Sequence, residues 1–111
     1  MKKFLVLYKA PLTSFEQMMK APPEQQKAGM DAWMGWSKKA GDSLVDMGAP
    51  LGRAVSVTPA GVSQIRNDLG GYSIMQAESK EALGESLKGH PHFMMVDGSI
   101  EVVEIMAMPG T

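Results

Sequence analysis

The sequence predicts an α+β fold of the ferredoxin-like type, with the element order β-α-β-β-α-β and an antiparallel sheet. Three observations support this. An alternating apolar segment at residues 2–9 predicts a first strand, and residues 23–47 show the spacing of one long helix. Residues 69–105 then follow the order strand, helix, loop and strand.

The second half of the chain carries the clearest signals. After Gly70-Gly71, apolar and polar residues alternate as in a pleated strand, and Ser79 is placed to cap the following helix. Pro91 prevents that helix from continuing. The Asp97-Gly98 turn leads into a last strand at residues 99–107.

The middle of the chain is predicted with an alternative. The helix at residues 23–47 contains three glycines, each unfavourable by roughly 1 kcal/mol relative to alanine, so packing must offset them or the helix ends near Gly41. Residues 52–58 predict the next strand. Residues 62–65 predict a short additional one.

Length and composition limit the protein class. The 111 residues predict a single domain spanning 1–111, with a core large enough to fold without disulfides. The chain has no cysteine, which fits a cytoplasmic location. A net charge of −1 without a basic cluster argues against nucleic acid or a membrane as partner, and no cofactor motif is found.

Three segments resemble a known family. The segments LGGYSIMQAESKEAL, GHPHF and GSIEVVEI resemble the YCII-related proteins, which include the DGPF-type proteins and belong to the dimeric α/β-barrel superfamily. The resemblance implies the same fold, assembled as a homodimer through the sheet. The Asp-Gly-Pro-Phe motif is replaced here by TPAGVSQIRND, and the early histidine of YciI-like enzymes has no counterpart before His90.

The loop after the second helix holds the candidate catalytic residues. His90 and His92 lie two residues apart, so in extended backbone their imidazoles face the same way, with Asp97 as an orienting carboxylate. This arrangement suits general acid–base chemistry. The alternative is a structural loop that packs on the helix end, and two histidines are too few for a three-histidine zinc site, so no metal is predicted.

A second set of residues predicts a ligand pocket. Trp33 and Trp36 share a helix face, and with Met30 and Tyr8 they are candidates to line an apolar pocket, whereas Arg53 is a candidate to bind a carboxylate. The alternative is that the tryptophans are ordinary core and that Arg53 is solvated.

Apolar residues on both sides of the first and last strands predict a homodimer. A solvated sheet face alternates apolar residues with charged ones, so the face opposite the helices is expected to be covered by a second copy. Three functions stay open: a small homodimer that binds a largely apolar or aromatic metabolite near the helix–sheet or dimer interface, a YciI-like enzyme with His/Asp chemistry, and a non-catalytic interaction or regulatory module.

Overall fold

A computed structural model describes residues 1–109. It contains three α-helices, two short 3₁₀ turns and six strands among those residues. The strands are β1 (Lys2–Lys9), β2 (Leu44–Pro50), β3 (Ala54–Thr58), β4 (Gly61–Ile65), β5 (Leu69–Ala77) and β6 (Ser99–Glu104). The helices are α1 (Leu12–Met19), α2 (Pro23–Ala40) and α3 (Lys80–Ser86), and the 3₁₀ turns are Gly41–Ser43 and Pro91–Met94.

The main sheet has the strand order of a ferredoxin-like fold. Four strands lie in the order β2-β5-β1-β6, and all three pairings are antiparallel. Strands β3 and β4 form a separate two-stranded ribbon inserted between β2 and β5 in the chain. The predicted α+β class with an antiparallel sheet is therefore confirmed.

The second strand of the sheet differs from the sequence prediction. The helix predicted at residues 23–47 ends at Ala40, in agreement with the alternative of an end near Gly41, and residues 44–50 form the edge strand β2. Gly41 has φ +55°, a left-handed backbone conformation that ends the helix. The strand predicted at residues 52–58 is real but begins at Ala54, and it lies in the ribbon instead of the main sheet.

The core lies on one face of the main sheet. Alternate residues of β1 and β5 point toward α2 and α3 because successive side chains in a strand point to opposite faces. The buried apolar core consists of Phe4, Val6, Tyr8, Met75, Leu83 and Leu87. Ser79 caps α3 as predicted, since its hydroxyl accepts a hydrogen bond from the backbone N–H of Ala82 at 3.1 Å.

Helix α2 is only loosely attached to this core. None of its 18 residues is buried, and Trp33, Trp36 and Ala40 are the α2 residues that pack against the core cluster. A Cβ at Gly29 or Gly35 would contact nothing, so close packing does not require these glycines. Within residues 1–109 no helix has the length and apolar character needed to cross a membrane.

The other face of the main sheet is apolar and has no helical layer. Leu5, Leu7, Tyr72 and Ile74 are half-buried there, and Val103 is 46% exposed. We refer to these five residues as the open face. The molecule measures only 19 Å along its shortest axis, and its radius of gyration of 15.7 Å exceeds the roughly 13 Å of a compact chain of this length.

We expect Gly48→Ala to be among the most destabilising substitutions in the sheet. Gly48 has φ +78°, and an added Cβ would overlap the backbone carbonyl of Tyr72. The free energy of unfolding should therefore fall by at least about 2 kcal/mol in urea titrations. Gly29→Ala is the matched control, because its Cβ meets open space and should stabilise α2 by up to about 1 kcal/mol. Equal effects of the two substitutions would contradict this account.

Candidate functional site

The loop between α3 and β6 is held in place at both of its ends. At its start, the backbone N–H of His90 donates to Leu87 O at 3.1 Å. Further along, the hydroxyl of Ser14 on α1 donates to Val96 O at 2.6 Å. Ser14 is thus a buried tether between α1 and the loop.

His90 caps the short turn Pro91–Met94 with its own ring. Its Nδ1 accepts a hydrogen bond from the backbone N–H of His92 at 2.9 Å, so a neutral imidazole carries its proton on Nε2. The side chain is almost fully buried, at 3% exposure, and Nε2 has no hydrogen-bond partner. A buried donor without an acceptor is uncommon and calls for an explanation.

His92 joins the loop to the end of β1. Its Nε2 lies 2.8 Å from the backbone oxygen of Lys9, and because a carbonyl oxygen only accepts, this nitrogen must carry the proton. The ring is buried, and its edge lies 3.2 Å from the position that a Cβ at Gly98 would take. A Cβ at position 98 would therefore be in tight contact with this ring.

Three aromatic rings surround the imidazole of His90. The ring centroids of Trp36, Trp33 and Tyr8 lie 4.2, 4.5 and 4.9 Å from that of His90. Both tryptophans meet the imidazole edge to face, an arrangement that aromatic rings favour. We call His90, Tyr8, Trp33 and Trp36 the aromatic cluster.

A line of hydrogen bonds fixes the position of Tyr8. Its hydroxyl donates to Ser73 Oγ at 2.9 Å, and the Ser73 hydroxyl donates in turn to Met47 O at 2.8 Å. Irregular pairing of β2 with β5 accompanies this contact, with register shifts between Leu44 and Ala49. Ser73 is fully buried and was not predicted as a site residue, since one serine in an alternating strand carries no signal of its own.

Burial sets the protonation states of the cluster. Desolvation, and to a smaller extent the charge of a protonated His92, lowers the pKa of His90 from 6.5 to about 4. Desolvation also raises the pKa of Tyr8, which the hydrogen bond with Ser73 only partly opposes. At neutral pH the site therefore presents a neutral imidazole and a neutral phenol.

The structure brings together some of the predicted residues and separates others. The rings of five predicted residues lie in one contiguous cluster, namely those of Tyr8, Trp33, Trp36, His90 and His92. Met30 is largely exposed on α2, and Arg53 is exposed at the base of the β3–β4 ribbon.

Asp97 does not orient either imidazole. Asp97 lies at a turn with φ +57°, and its side chain is exposed. The imidazoles bond to backbone groups instead: His90 Nδ1 accepts from the N–H of His92, and His92 Nε2 bonds to the carbonyl of Lys9. Nowhere in the described part of the chain do three His, Cys, Asp or Glu residues cluster as metal ligands would.

A small apolar cavity lies on the helical side of the main sheet. It has a volume of about 100 Å³ and lies between α3, the Pro91–Met94 turn and β6. Its lining includes Ile100, which pairs with Tyr8 across the sheet, and Phe93, whose ring centroid lies 6.2 Å from that of His92. Ligand pockets usually measure about 300–1,000 Å³, so this cavity alone holds only a fragment of a metabolite.

Comparisons with known proteins give a likeness of fold. No protein-family model matches the chain, and no curated protein matches it. The chain is similar to the solved structure of 5-chloro-2-hydroxyhydroquinone dehydrochlorinase from Burkholderia phenoliruptrix AC1100. The two share 17% identity with a TM-score of 0.49, over 89% of this chain and 90% of that one.

We expect the neutral form of His90 to make stability depend on pH. The folded-state pKa of about 4 lies below the unfolded value of 6.5, so the unfolded chain takes up the proton first. The contribution of His90 is complete above pH 6.5 and is lost as the pH falls toward 4, by about 3 kcal/mol in total.

Two variants isolate this contribution. His90→Asn keeps a side-chain oxygen to accept from the His92 N–H, and His90→Phe keeps a ring of similar shape. Neither titrates, so urea titrations between pH 6.5 and 4.5 should show a flatter pH dependence for both variants than for the wild type. The same pH dependence in all three proteins would rule out His90 as its source.

Proposed function

We propose that the protein is a homodimer of the YCII-related type that binds a small aromatic molecule with an oxygen acceptor at the aromatic cluster. One observation carries the proposal, namely the buried Nε2–H of His90 without an acceptor. Leaving such a donor unpaired costs roughly 1–3 kcal/mol, and a ligand oxygen would recover that energy.

The surroundings of the donor favour an aromatic ligand. Two tryptophans and a tyrosine provide flat apolar surfaces around one polar group, which is the usual composition of a small-molecule site. The hydroxyl of Tyr8 is already committed to Ser73, so His90 is the orienting donor. A ring bearing a phenolic, carbonyl or carboxylate oxygen fits this chemistry.

The hydrogen bonds of the loop favour binding over acid–base catalysis. In its neutral form His90 uses the lone pair of Nδ1 to accept from His92, and its second nitrogen carries the proton. It therefore offers a ligand a donor instead of a base, and Asp97 is not placed to change its tautomer. A YciI-like reaction through His90, His92 and Asp97 would require the loop to rearrange.

Entry of the ligand requires α2 to move outward. The helix has no buried residue, and two interior glycines lower its intrinsic stability without improving its packing. Segments with few buried contacts open at the lowest free-energy cost, which makes α2 the element that admits a ligand.

The open face supports the homodimer. Half-buried leucine, isoleucine and tyrosine side chains form the centre of this face, and the charged residues Lys3, Lys9 and Glu101 lie toward its ends. At about 25 cal/mol per Å², burying several hundred Å² of apolar surface on each copy stabilises the dimer by several kcal/mol or more. This free energy offsets the cost of association. A two-fold arrangement with the two sheets face to face buries the same surface on both copies.

Ligand binding is tested with matched pairs of aromatic compounds. Each phenol, aromatic carboxylate or quinone is compared with the analogue that lacks the oxygen, by the shift of the melting temperature. Oxygenated members should stabilise the wild type, by about 2.7 kcal/mol at one hundred times Kd. His90→Phe should remove the preference for the oxygenated member. A panel that shifts neither protein, or shifts both equally, would refute the proposed site.

Dimerisation is tested by placing charge on the open face. Leu7→Lys and Ile74→Lys each introduce an ammonium group on the open face. Solvent reaches this group in a monomer, whereas stacking of two sheets would bury it. We expect each to weaken the dimer at least tenfold in light scattering coupled to gel filtration, with the monomer still folded. Met34→Lys on the exposed side of α2 is the control. A wild type that stays at 12.0 kDa at high concentration would refute the dimer.

A further inference from the structure

The β3–β4 ribbon leaves three valines in solvent. Val55, Val57 and Val62 are 57%, 71% and 67% exposed. Val57 pairs with Val62, and Val55 lies two residues from Val57, so all three are on one face of the ribbon. A two-stranded ribbon is at best marginally stable in water, so this face is expected to pack against another surface.

The base of the ribbon carries the only two arginines of the chain. Arg53 immediately precedes β3 and Arg66 immediately follows β4, so the two arginines flank the terminal Ala54–Ile65 pair. By the alternation of the ladder they extend on the valine face. Residues 51–66 contain no Asp or Glu, and none of the ion pairs in residues 1–109 involves an arginine. Like charges at opposed positions are unfavourable, so an acidic partner is expected.

Strand β6 presents the complementary pattern. Glu101, Val103 and Ile105 follow one another at two-residue spacing, and both apolar members are 46% exposed. Glu101 and Val103 pair with Leu7 and Leu5, which places the row beside the open face. The ribbon row of Arg53, Val55 and Val57 has the same order with the opposite charge, and both rows repeat about every 6.7 Å.

The charge distribution also favours contact with another copy. The ribbon segment carries two positive charges and the whole chain a net charge of −1, so the remainder carries −3. The ribbon is inserted between β2 and β5, whereas β6 is at the opposite edge of the order β2-β5-β1-β6. A ribbon that reaches a β6 row therefore meets it most directly on another copy.

We propose that each copy docks its β3–β4 ribbon on the β6 row of a second copy. Arg53 and Arg66 face the partner's Glu101, and the ribbon valines cover the partner's Val103 and Ile105. The contact extends the face-to-face dimer of the proposed function and rests on it. In a two-fold dimer it occurs twice, because each copy supplies one ribbon and one row.

Charge exchange tests the polar half of this contact. The double substitution R53E/R66E should weaken the dimer at least tenfold, and E101R should also weaken it. The triple variant R53E/R66E/E101R should return to within about threefold of the wild type, because the charges are complementary again. The control K20E/K27E changes the net charge equally at two exposed lysines outside the ribbon and should leave the dimer intact.

Chemical cross-linking tests the apolar half without altering charge. The chain contains no cysteine, so V57C and I105C introduce the only thiols. A mixture of the two single variants with a short bismaleimide should give a covalent dimer, because the proposed register places the partner's Ile105 opposite Val57. Mixing V57C with M30C, which lies on α2, should not. E101R also removes the ion pair of Glu101 with Lys9 in its own chain. The cross-linking test does not use that variant, so it stands even where E101R fails to fold.

The outcomes separate this inference from the proposed function. A monomeric wild type would overturn both the dimer and the ribbon contact. A wild-type dimer whose affinity changes no more in R53E/R66E than in K20E/K27E would overturn the ribbon contact alone. Failure of V57C and I105C to cross-link within a dimer would do the same.

Discussion

The contact between His90 and the two tryptophans of α2 holds that helix against the rest of the molecule. Trp33 and Trp36 both place their rings within 4.5 Å of the imidazole, measured between centroids, and α2 has no fully buried residue elsewhere. His90 in turn depends on the turn that its own Nδ1 caps. The packing of this 18-residue helix therefore depends in part on a neutral, buried histidine.

The sheet supplies the rigid side of the same site. Tyr8, Ser73 and the backbone of Met47 form a hydrogen-bonded line from β1 through β5 to the edge strand β2. Gly48 allows the edge strand to approach Tyr72 closely at this point, because any side chain there would overlap a backbone carbonyl. One wall of the cluster is thus fixed by backbone geometry, whereas the wall formed by α2 is held mainly by side-chain packing.

The sequence predicted the strands and helices correctly where the local residue pattern agrees with the packing of the folded chain. Strands β1, β5 and β6 and the capped helix α3 follow from alternation, Ser79 and Pro91. Strand β2 was missed because Leu44 and Met47 continue the helical spacing of α2, and an edge strand with irregular pairing shows little alternation. Gly41 was the available signal, since its φ of +55° ends the helix there.

The site was predicted in part for a similar reason. The sequence pointed to the histidines and the tryptophans separately, as a reactive loop and an apolar stripe. Their contact joins residues more than fifty positions apart in the chain and depends on where α2 crosses the sheet, which no local pattern specifies. The absence of an Asp97–histidine pair has the same origin, because the Lys9 carbonyl of β1 already bonds to the ring of His92.

Strand β1 connects the buried site with the surface proposed for dimerisation. Tyr8 faces the aromatic cluster, and the preceding Leu7 lies on the open face, because neighbouring side chains in a strand point in opposite directions. Lys9 links three elements: its carbonyl binds His92, and its ammonium group binds Glu101 at 2.6 Å and Asp68 at 3.5 Å. Glu101 begins the β6 row, and Asp68 follows the ribbon. A displacement of the histidine loop therefore acts on the end of β1, and through Lys9 on both surfaces that a second copy is proposed to use. The proposed ligand site and the proposed dimer surface thus meet at one end of strand β1.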